Sequence, residues 1–283
     1  MTTPIYLFVA VIYGAVAIFV GRQTRLQIAP GAQTVSDGDH SRWMNWAVLA
    51  GIVLHGMVLQ RLMFGAQGIN LGLGNAVSLI VWLTVLIYWL GSWVYPIASL
   101  QMYVLPVAAA GALLALVLPS QRFLSLATRP ALAAHLVMSL LAYSLFTIAA
   151  LHALLTSALD RGLRRGTLPL ALRGAPPLIA MESLLLRIIQ VGFILLTLAL
   201  VSGFVFSEQV FGKAITFPHN AHKVVFGVLS WVIFGAFLVG HRFYGWRGRT
   251  AALLTLIGFG LLLISYVGSK FVLEVILKRV VSS

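Results

Sequence analysis

Cysteine is absent from this sequence of 283 residues. Without it, the chain has no disulfide framework, no thiolate metal site and no thiol nucleophile of its own. Any thiol chemistry in which the protein takes part therefore needs the cysteines of a partner.

Charged side chains are also scarce. Asp, Glu, Lys and Arg make up 9% of the residues, with six acidic side chains in all, whereas 60% are hydrophobic. A soluble domain has about a quarter charged residues, so these charges are too few to cover a water-facing surface. The apolar runs are continuous and lack the alternation typical of a membrane β-barrel. Because a helix satisfies its own backbone in lipid, we expect an all-α, polytopic integral membrane protein.

The apolar runs predict about eight transmembrane helices, since each run approaches the roughly 20 residues that a bilayer requires. The expected spans are 4–20, 44–63, 75–93, 97–118, 131–160, 179–206, 221–241 and 250–277. The longest segments expected outside the membrane on the side of the termini are 64–74 and 207–220. Neither is long enough for a soluble domain.

The basic residues indicate the topology. The formal net charge is +13, but the cations lie in short loops beside apolar spans. That placement is typical of topology signals and of contact with anionic lipid, not of nucleic-acid binding. The two densest clusters, Arg161–Arg173 and Arg242–Arg249, follow the fifth and seventh spans. The positive-inside rule therefore predicts that these loops are cytoplasmic and that both termini are outside.

Several enzyme classes are disfavoured by the motifs. The sequence has no Walker phosphate-binding loop, no G-x-S-x-G and no H-E-x-x-H motif, which argues against an ATPase, a lipase and a zinc protease. No internal repeat or broken-helix pattern of a small-molecule transporter is evident. The sequence favours a protein that is not an enzyme.

Histidine is the remaining candidate for chemistry, because ionisable groups inside a bilayer are costly and tend to be functional. His55, His135 and His152 lie within predicted spans, and His241 ends the seventh span. His219 lies in the outer segment 207–220, and His222 follows it at the start of the seventh span. Imidazole is the usual axial ligand of heme iron, so the pattern suits a membrane porphyrin site. The alternative is that each histidine hydrogen-bonds a neighbouring helix.

Three tryptophans of the third span, Trp82, Trp89 and Trp93, share one helical face because their spacings are seven and four. One interpretation is a flat surface for a macrocycle. Ordinary packing and an interfacial aromatic belt are the favoured interpretation.

Two pairs of opposite charge are expected within the spans. Lys270 and Glu274 are four residues apart on the eighth span and so face each other. Glu182 and Arg187 at the start of the sixth span are interpreted in the same way. Stabilising pairs are favoured over a proton relay.

The later spans resemble a known family. The segments that carry the resemblance are His135–Tyr143 (HLVMSLLAY), Leu229–Val232 (LSWV), Gly240–Arg249 (GHRFYGWRGR) and Ser265–Phe271 (SYVGSKF). They resemble the cytochrome c assembly family, which includes the CcsA-type heme-handling subunits. The stretch Gly68–Leu79 is similar to the HemX-like, or YpjD-like, branch. The resemblance covers residues 43–283, which are expected to form the cytochrome c assembly domain, with 1–42 as a first helix and cytoplasmic loop.

The resemblance implies a heme site. In the family, a tryptophan-rich outer loop cradles heme between two outer histidines, and further histidines lie in the membrane. Carried over, His135 matches the first outer histidine, His241 a membrane histidine and His55 another. Here the segment Pro218–Lys223 replaces the tryptophan-rich core, and Lys223 remains from it.

No residue matches the second outer histidine of the family. We expect His219 or His222 to take its place beside His135, with Lys223 pairing with a heme propionate. Glu208 is the one acidic residue of that outer segment available to orient a histidine ring.

Two functions follow. The first is a CcsA/HemX-like protein of the bacterial inner membrane that binds or presents heme in cytochrome c or heme biogenesis, together with another membrane protein of cytochrome c assembly. The alternative is a heme-free accessory or regulatory subunit of a partner membrane enzyme or transporter. The histidines favour the first function, whereas the missing loop tryptophans favour the second.

Topology is the first testable prediction. Fusions of alkaline phosphatase and of a fluorescent protein at Ser283 and at Gly166 report opposite sides of the membrane. We expect phosphatase activity at Ser283 and fluorescence at Gly166, because the arginine clusters hold their loops in the cytoplasm. Fluorescence from the Ser283 fusion contradicts this topology.

Overall fold

A computed structural model describes residues 3–26, 37–65, 68–95, 97, 100–118, 123–124, 130–166, 176–205, 221–268 and 271 of the chain. Eight α-helices dominate these residues. They are α1 (Thr3–Leu26), α2 (Asp37–Met63), α3 (Leu73–Ser92), α4 (Gln101–Val117), α5 (Pro130–Arg164), α6 (Leu178–Val205), α7 (Ala221–Tyr244) and α8 (Gly248–Leu263). A π-helical turn, Ile264–Gly268, extends α8.

Six of these helices are long and apolar enough to cross a membrane, namely α2, α3 and α5–α8, the last together with its π-helical turn. The apolar part of α1, Tyr6–Phe19, and the helix α4 are shorter. This arrangement confirms the expected all-α, polytopic membrane fold. The helices coincide with the eight predicted apolar runs, although most of the end of the eighth run, after residue 268, lies outside the described residues.

A small antiparallel sheet was not expected from the sequence. Its strands are β1 (Phe64–Gly65), β2 (Gly68–Asn70) and β3 (Phe123–Leu124), in the order β1-β2-β3. Gly68 has a φ of 114°, which suits glycine because it lacks the Cβ that disfavours this region. Strands of two or three residues are too short to leave an alternating pattern in the sequence.

The helices pack as two halves that meet at α5. Tyr13 and Val85 belong to the apolar core of α1–α4, to which α5 contributes Leu155. The core of α5–α8 includes Phe146 and Phe234, whose rings stack with centroids 3.9 Å apart. Since α1 packs against α4 and α2, it is part of the first half, and the expected division at residue 42 stays a prediction.

Two tryptophans of α3 hold this helix against α2. The indole Nε1 of Trp82 donates to the carbonyl of Ile52 at 2.8 Å, and that of Trp89 donates to Asn45 at 3.1 Å. Trp93 is exposed and its ring contacts that of Trp89. The packing interpretation of the tryptophan face is confirmed, because two of the three rings are occupied between helices.

The two arginine clusters lie at the same end of the bundle. Thr156 near the end of α5, Glu182 at the start of α6 and Trp246 between α7 and α8 line one small cavity. This brings Arg161–Arg165 to the same end as Arg242–Arg249, and we call it the arginine-rich end. The opposite end, where α5 begins and α6 ends, is called the outer end after the predicted topology.

Glycine allows close approach of α3 to α4. A Cβ at Gly74 would lie 2.6 Å from the carbonyl oxygen of Leu118 and 2.9 Å from Cα of Ala115. Both atoms belong to the backbone, so no side-chain rotation can relieve the overlap. Small residues at helix contacts are the usual means of close packing in membranes.

We predict that Gly74→Ala destabilises the fold by about 1–3 kcal/mol, the usual cost of overpacking. The matched control is Gly260→Ala, because a Cβ at Gly260 meets nothing within 4 Å. Thermal unfolding of the purified variants in detergent measures the difference. Equal midpoints for the two variants contradict the predicted α3–α4 contact.

Candidate functional site

Four of the predicted site histidines lie within the described residues, but only three of them have a described side chain. The side chains of His55, His135 and His241 are described, whereas His222 is described as part of helix α7 without its side chain. His219 lies outside the described residues, as does Glu208. The predicted outer pairing of His135 with His219 or His222 therefore stays a prediction.

His135 lies on the second turn of α5 and contacts the end of α6. Its Nδ1 is 3.0 Å from the carbonyl oxygen of Ala199 and 3.1 Å from Oγ of Ser202. A Cβ at Gly203 would approach Cε1 of the ring to 3.3 Å, so the glycine leaves room for the imidazole. The ring is half-buried between the two helices.

The partners of His135 fix its tautomer. A carbonyl only accepts, so Nδ1 carries the proton and donates to Ala199, leaving the lone pair on Nε2. Nε2 is 3.5 Å from Oγ of Ser139, a distance at the weak end of hydrogen bonding. A backbone carbonyl that orients one ring nitrogen while the other stays available is the usual arrangement of a metal-ligating histidine.

Lys223 lies at the same end of the bundle as His135. Its carbonyl accepts a hydrogen bond from the Ser265 hydroxyl at 2.7 Å, which joins the start of α7 to the π-helical turn. A Cβ at Gly227 would contact Leu200, the residue after the His135 partner Ala199, at 3.5 Å. The beginning of α7 therefore lies beside the end of α6, close to the His135 region.

A hydrogen bond from α5 to the end of α8 accounts for the π-helical turn that follows α8. The hydroxyl of the buried Tyr143 donates to the carbonyl oxygen of Leu262 at 2.8 Å. Side-chain insertion into the ladder of α-helical bonds is a common cause of such turns, which are frequent at functional sites. The sequence contained no signal for this turn.

His55 has a different environment, deep between α1, α2 and α3. Its ring is fully buried, and Nε2 is hydrogen-bonded to Oγ of Ser78 at 2.8 Å. The rings of Tyr6 and Tyr13 make edge contacts with it at 6.4 and 5.9 Å between centroids. A porphyrin could reach this imidazole only by displacing a tyrosine ring.

His241 lies at the arginine-rich end. Its Nδ1 donates to the carbonyl of Trp246 at 2.9 Å, closing the turn between α7 and α8. The indole of Trp246 lies against the backbone of Gly240, where any Cβ would overlap it. The cavity beside His241 has a volume of about 10 Å³, which is room for one water and not for a macrocycle.

His135 and His241 lie too far apart to share one iron. His241 and Thr156 line the same cavity, and His135 and Thr156 lie about 31 Å apart along the axis of α5 at about 1.5 Å per residue. Any heme ligated by His135 is therefore separate from any group bound by His241.

His152 was weighed in the sequence but not selected as a site residue. Its side chain is 2% exposed, and its Nε2 is 2.8 Å from the carbonyl oxygen of Met181 on α6. It lines a cavity of about 160 Å³ that also contacts Arg187. Cavities cannot be derived from apolar periodicity, so the sequence could not distinguish this histidine from a packed one.

The expected pair of Glu182 and Arg187 is wrong. Residues five apart on a helix point about 140° away from each other, so they do not meet. Arg187 instead donates to the hydroxyl of Tyr95 at 3.5 Å, while Glu182 lines the cavity beside His241. The other expected pair, Lys270 with Glu274, lies outside the described residues.

Metal ions other than heme iron have little support in the described part of the chain. Among those residues, no group of three or more His, Asp or Glu side chains comes together to hold an ion. Heme needs only an axial imidazole from each side, and the orientation of His135 fits that requirement.

Comparison with known proteins agrees with the resemblance noted in the sequence. The family model for the cytochrome C assembly protein matches residues 43–277. The inner membrane protein YpjD of Escherichia coli strain K12 is 29% identical over 263 residues, which cover 88% of this chain and 93% of that protein.

Other relatives match a shorter segment. The cytochrome c biogenesis protein CcsA of a Synechococcus strain is 34% identical over 85 residues, or 30% of this chain and 23% of that protein. The CcsA protein of Prochlorococcus marinus strain MIT 9215 is 37% identical over 91 residues, or 32% and 28%. No solved structure matches the chain. Because the family match extends over most of its length, this chain belongs to the cytochrome c assembly protein family.

Proposed function

We propose that this protein binds heme at the outer end of its helical bundle and presents it during cytochrome c biogenesis. Family membership supports the process, and the names of the CcsA relatives describe cytochrome c biogenesis. The similarity to YpjD supports a place in the bacterial inner membrane. In this role the protein holds heme for another membrane protein of cytochrome c assembly and makes no covalent bond itself.

The orientation of His135 is the observation that carries the proposal. Its Nδ1–H donates to the Ala199 carbonyl, so the ring is held in a fixed orientation with its lone pair on Nε2. A preoriented imidazole loses less entropy on ligating a metal than a mobile one. Ser139 at 3.5 Å from Nε2 is a weak competitor for that lone pair.

The start of α7 supplies the rest of the proposed site. His219 or His222 is the proposed second ligand, and Lys223 is the proposed partner of a propionate. The carbonyl of Lys223 is tied to Ser265, which holds this part of α7 at the outer end. Heme bound here would be the group that cytochrome c biogenesis delivers to the cytochrome, and these side chains would hold and orient it.

His55 and His241 stay predicted ligands, but their surroundings fit a heme less well than those of His135. The first is enclosed by Tyr6 and Tyr13, and the second faces a cavity that is too small for a porphyrin. The hydrogen bonds of both histidines join elements of the bundle, Ser78 for one and Trp246 for the other.

Heme binding is tested by the Soret absorbance of the purified protein with heme supplied. We expect a band in the wild type and a heme affinity about tenfold lower in His135→Ala, a change of about 1.4 kcal/mol. Added imidazole should restore the band by entering the space left by the ring. The double variant His219→Ala/His222→Ala should weaken binding in the same way.

The matched control is His40→Ala. It removes a histidine near the start of α2, ahead of the part of this helix that spans the membrane. Its band should equal that of the wild type. A band that survives His135→Ala but falls in His55→Ala or His241→Ala places heme at those residues and contradicts the proposal. A wild type without a Soret band favours the heme-free accessory subunit.

A further inference from the structure

A cavity of about 160 Å³ lies at the arginine-rich end, between the α3–α4 connection, α5 and the first turns of α6. Its mouth is at the surface of the bundle and its floor is in the core. Exposed residues at the mouth are Ala180, Ser183 and Arg187, and buried residues at the floor are Ile97, Leu100, His152 and Leu155.

The size of the cavity excludes a single water as its only occupant. One water needs about 10–15 Å³ of such space, and the cavity beside His241 offers no more than that. The cavity at His152 is more than ten times larger, and it opens on the side of α6, a helix apolar enough to lie in the membrane. It therefore has room for a small polar headgroup that enters from the lipid.

The floor of this cavity carries an unpartnered hydrogen-bond acceptor. His152 is 2% exposed, and its Nε2 donates to the Met181 carbonyl. The proton is therefore on Nε2, and the lone pair is on Nδ1. Nδ1 is buried and has no hydrogen-bond partner among the residues that the structure describes. A buried polar atom without a partner is destabilising, and a hydroxyl donor from an occupant removes that cost.

The mouth of the cavity carries a positive charge that has no ion-pair partner among the described residues. Arg187 lies on the third turn of α6 within the apolar span Leu178–Val205, where charged side chains are costly. Its guanidinium donates to the Tyr95 hydroxyl at 3.5 Å, and the ion pair found among the described residues joins Arg164 to Asp160 instead. Arginine binds phosphate through two parallel hydrogen bonds, so an anionic group suits this position.

We propose that this cavity binds the headgroup of phosphatidylglycerol. The phosphate is held by Arg187 and Tyr95 at the mouth, and a glycerol hydroxyl of the headgroup donates to Nδ1 of His152 at the floor. The acyl chains lie along the exposed apolar surface of α6.

The headgroup hydroxyl distinguishes phosphatidylglycerol from phosphatidic acid and phosphatidylcholine. Phosphatidic acid supplies the anion without a headgroup hydroxyl, and phosphatidylcholine supplies neither a net charge nor a hydroxyl donor. The proposed order of affinity is therefore phosphatidylglycerol, then phosphatidic acid, then phosphatidylcholine. A free phosphate ion offers no acyl chain to the apolar surface of α6, so it should bind far more weakly than the lipid.

Native mass spectrometry of the full chain, titrated with each lipid in detergent micelles, measures these affinities. Arg187→Gln should weaken phosphatidylglycerol and phosphatidic acid alike, each by about tenfold, since a charge-assisted hydrogen bond is lost. Arg187→Lys keeps the charge and should retain most of the binding. Arg161→Gln is the matched control, because Arg161 is exposed on α5 and donates to its own helix at Ser157.

His152→Phe tests the floor separately. Phenylalanine keeps a flat ring at the floor of the cavity but has no acceptor in place of Nδ1. We expect a loss of about threefold for phosphatidylglycerol and no change for phosphatidic acid. This difference between the lipids would not arise from a general loss of structure.

Three results overturn the proposal. The first is wild-type affinity for phosphatidylglycerol in Arg187→Gln, and the second is an equal loss in Arg161→Gln, which indicates unspecific attraction to the cationic end. The third is displacement of the lipid by millimolar inorganic phosphate, which indicates a site for the free ion. If Arg187→Gln does not remain monodisperse, His152→Phe and Arg187→Lys decide the outcome.

Discussion

Hydrogen bonds from side chains to backbone carbonyls of neighbouring helices hold this bundle together. Lipid offers no partner to a polar group, so a hydroxyl or imidazole in the bundle is stabilised by an acceptor on another helix or on its own. Helix α5 is the main donor: Tyr143 bonds to α8, Ser144 to α3, and both His135 and His152 to α6. These bonds fix α5 between the two halves, and the positions of the neighbouring helices depend on them.

The same interaction prepares two histidines for binding. At the outer end, the Ala199 carbonyl accepts a hydrogen bond from His135 Nδ1, which places the lone pair on Nε2. At the other end, the Met181 carbonyl accepts a hydrogen bond from His152 Nε2, which places the lone pair on Nδ1. His55 differs because its partner is the Ser78 hydroxyl, which can donate or accept. A carbonyl thus makes a structural contact and selects a tautomer at the same time, which connects the packing of α5 and α6 to both proposed sites.

Much of the fold could be predicted from composition alone. The eight apolar runs correspond to the eight helices, and the spacing of Trp82 and Trp89 indicated a packed face that the structure places against α2. The resemblance points to His135 at the head of α5 as a candidate ligand, and the sequence alone is enough for that prediction. The sheet formed by β1, β2 and β3 was missed because its strands are so short. The nearness of Glu182 and Arg187 in sequence predicts a pair. That prediction neglects the directions in which residues five apart point from a helix.

The sequence by itself determined that this chain lies in a membrane as a helical bundle, because a chain with so few charges can bury its backbone polar groups in lipid only as helices. It also determined where the helices lie and which histidines are candidates to ligate iron. Only the tertiary structure decided which ring nitrogen of His135 and of His152 donates to a carbonyl, and that Arg187 opens on a cavity instead of pairing with Glu182. These features depend on carbonyls and side chains from segments far apart in sequence, which meet only when the helices pack.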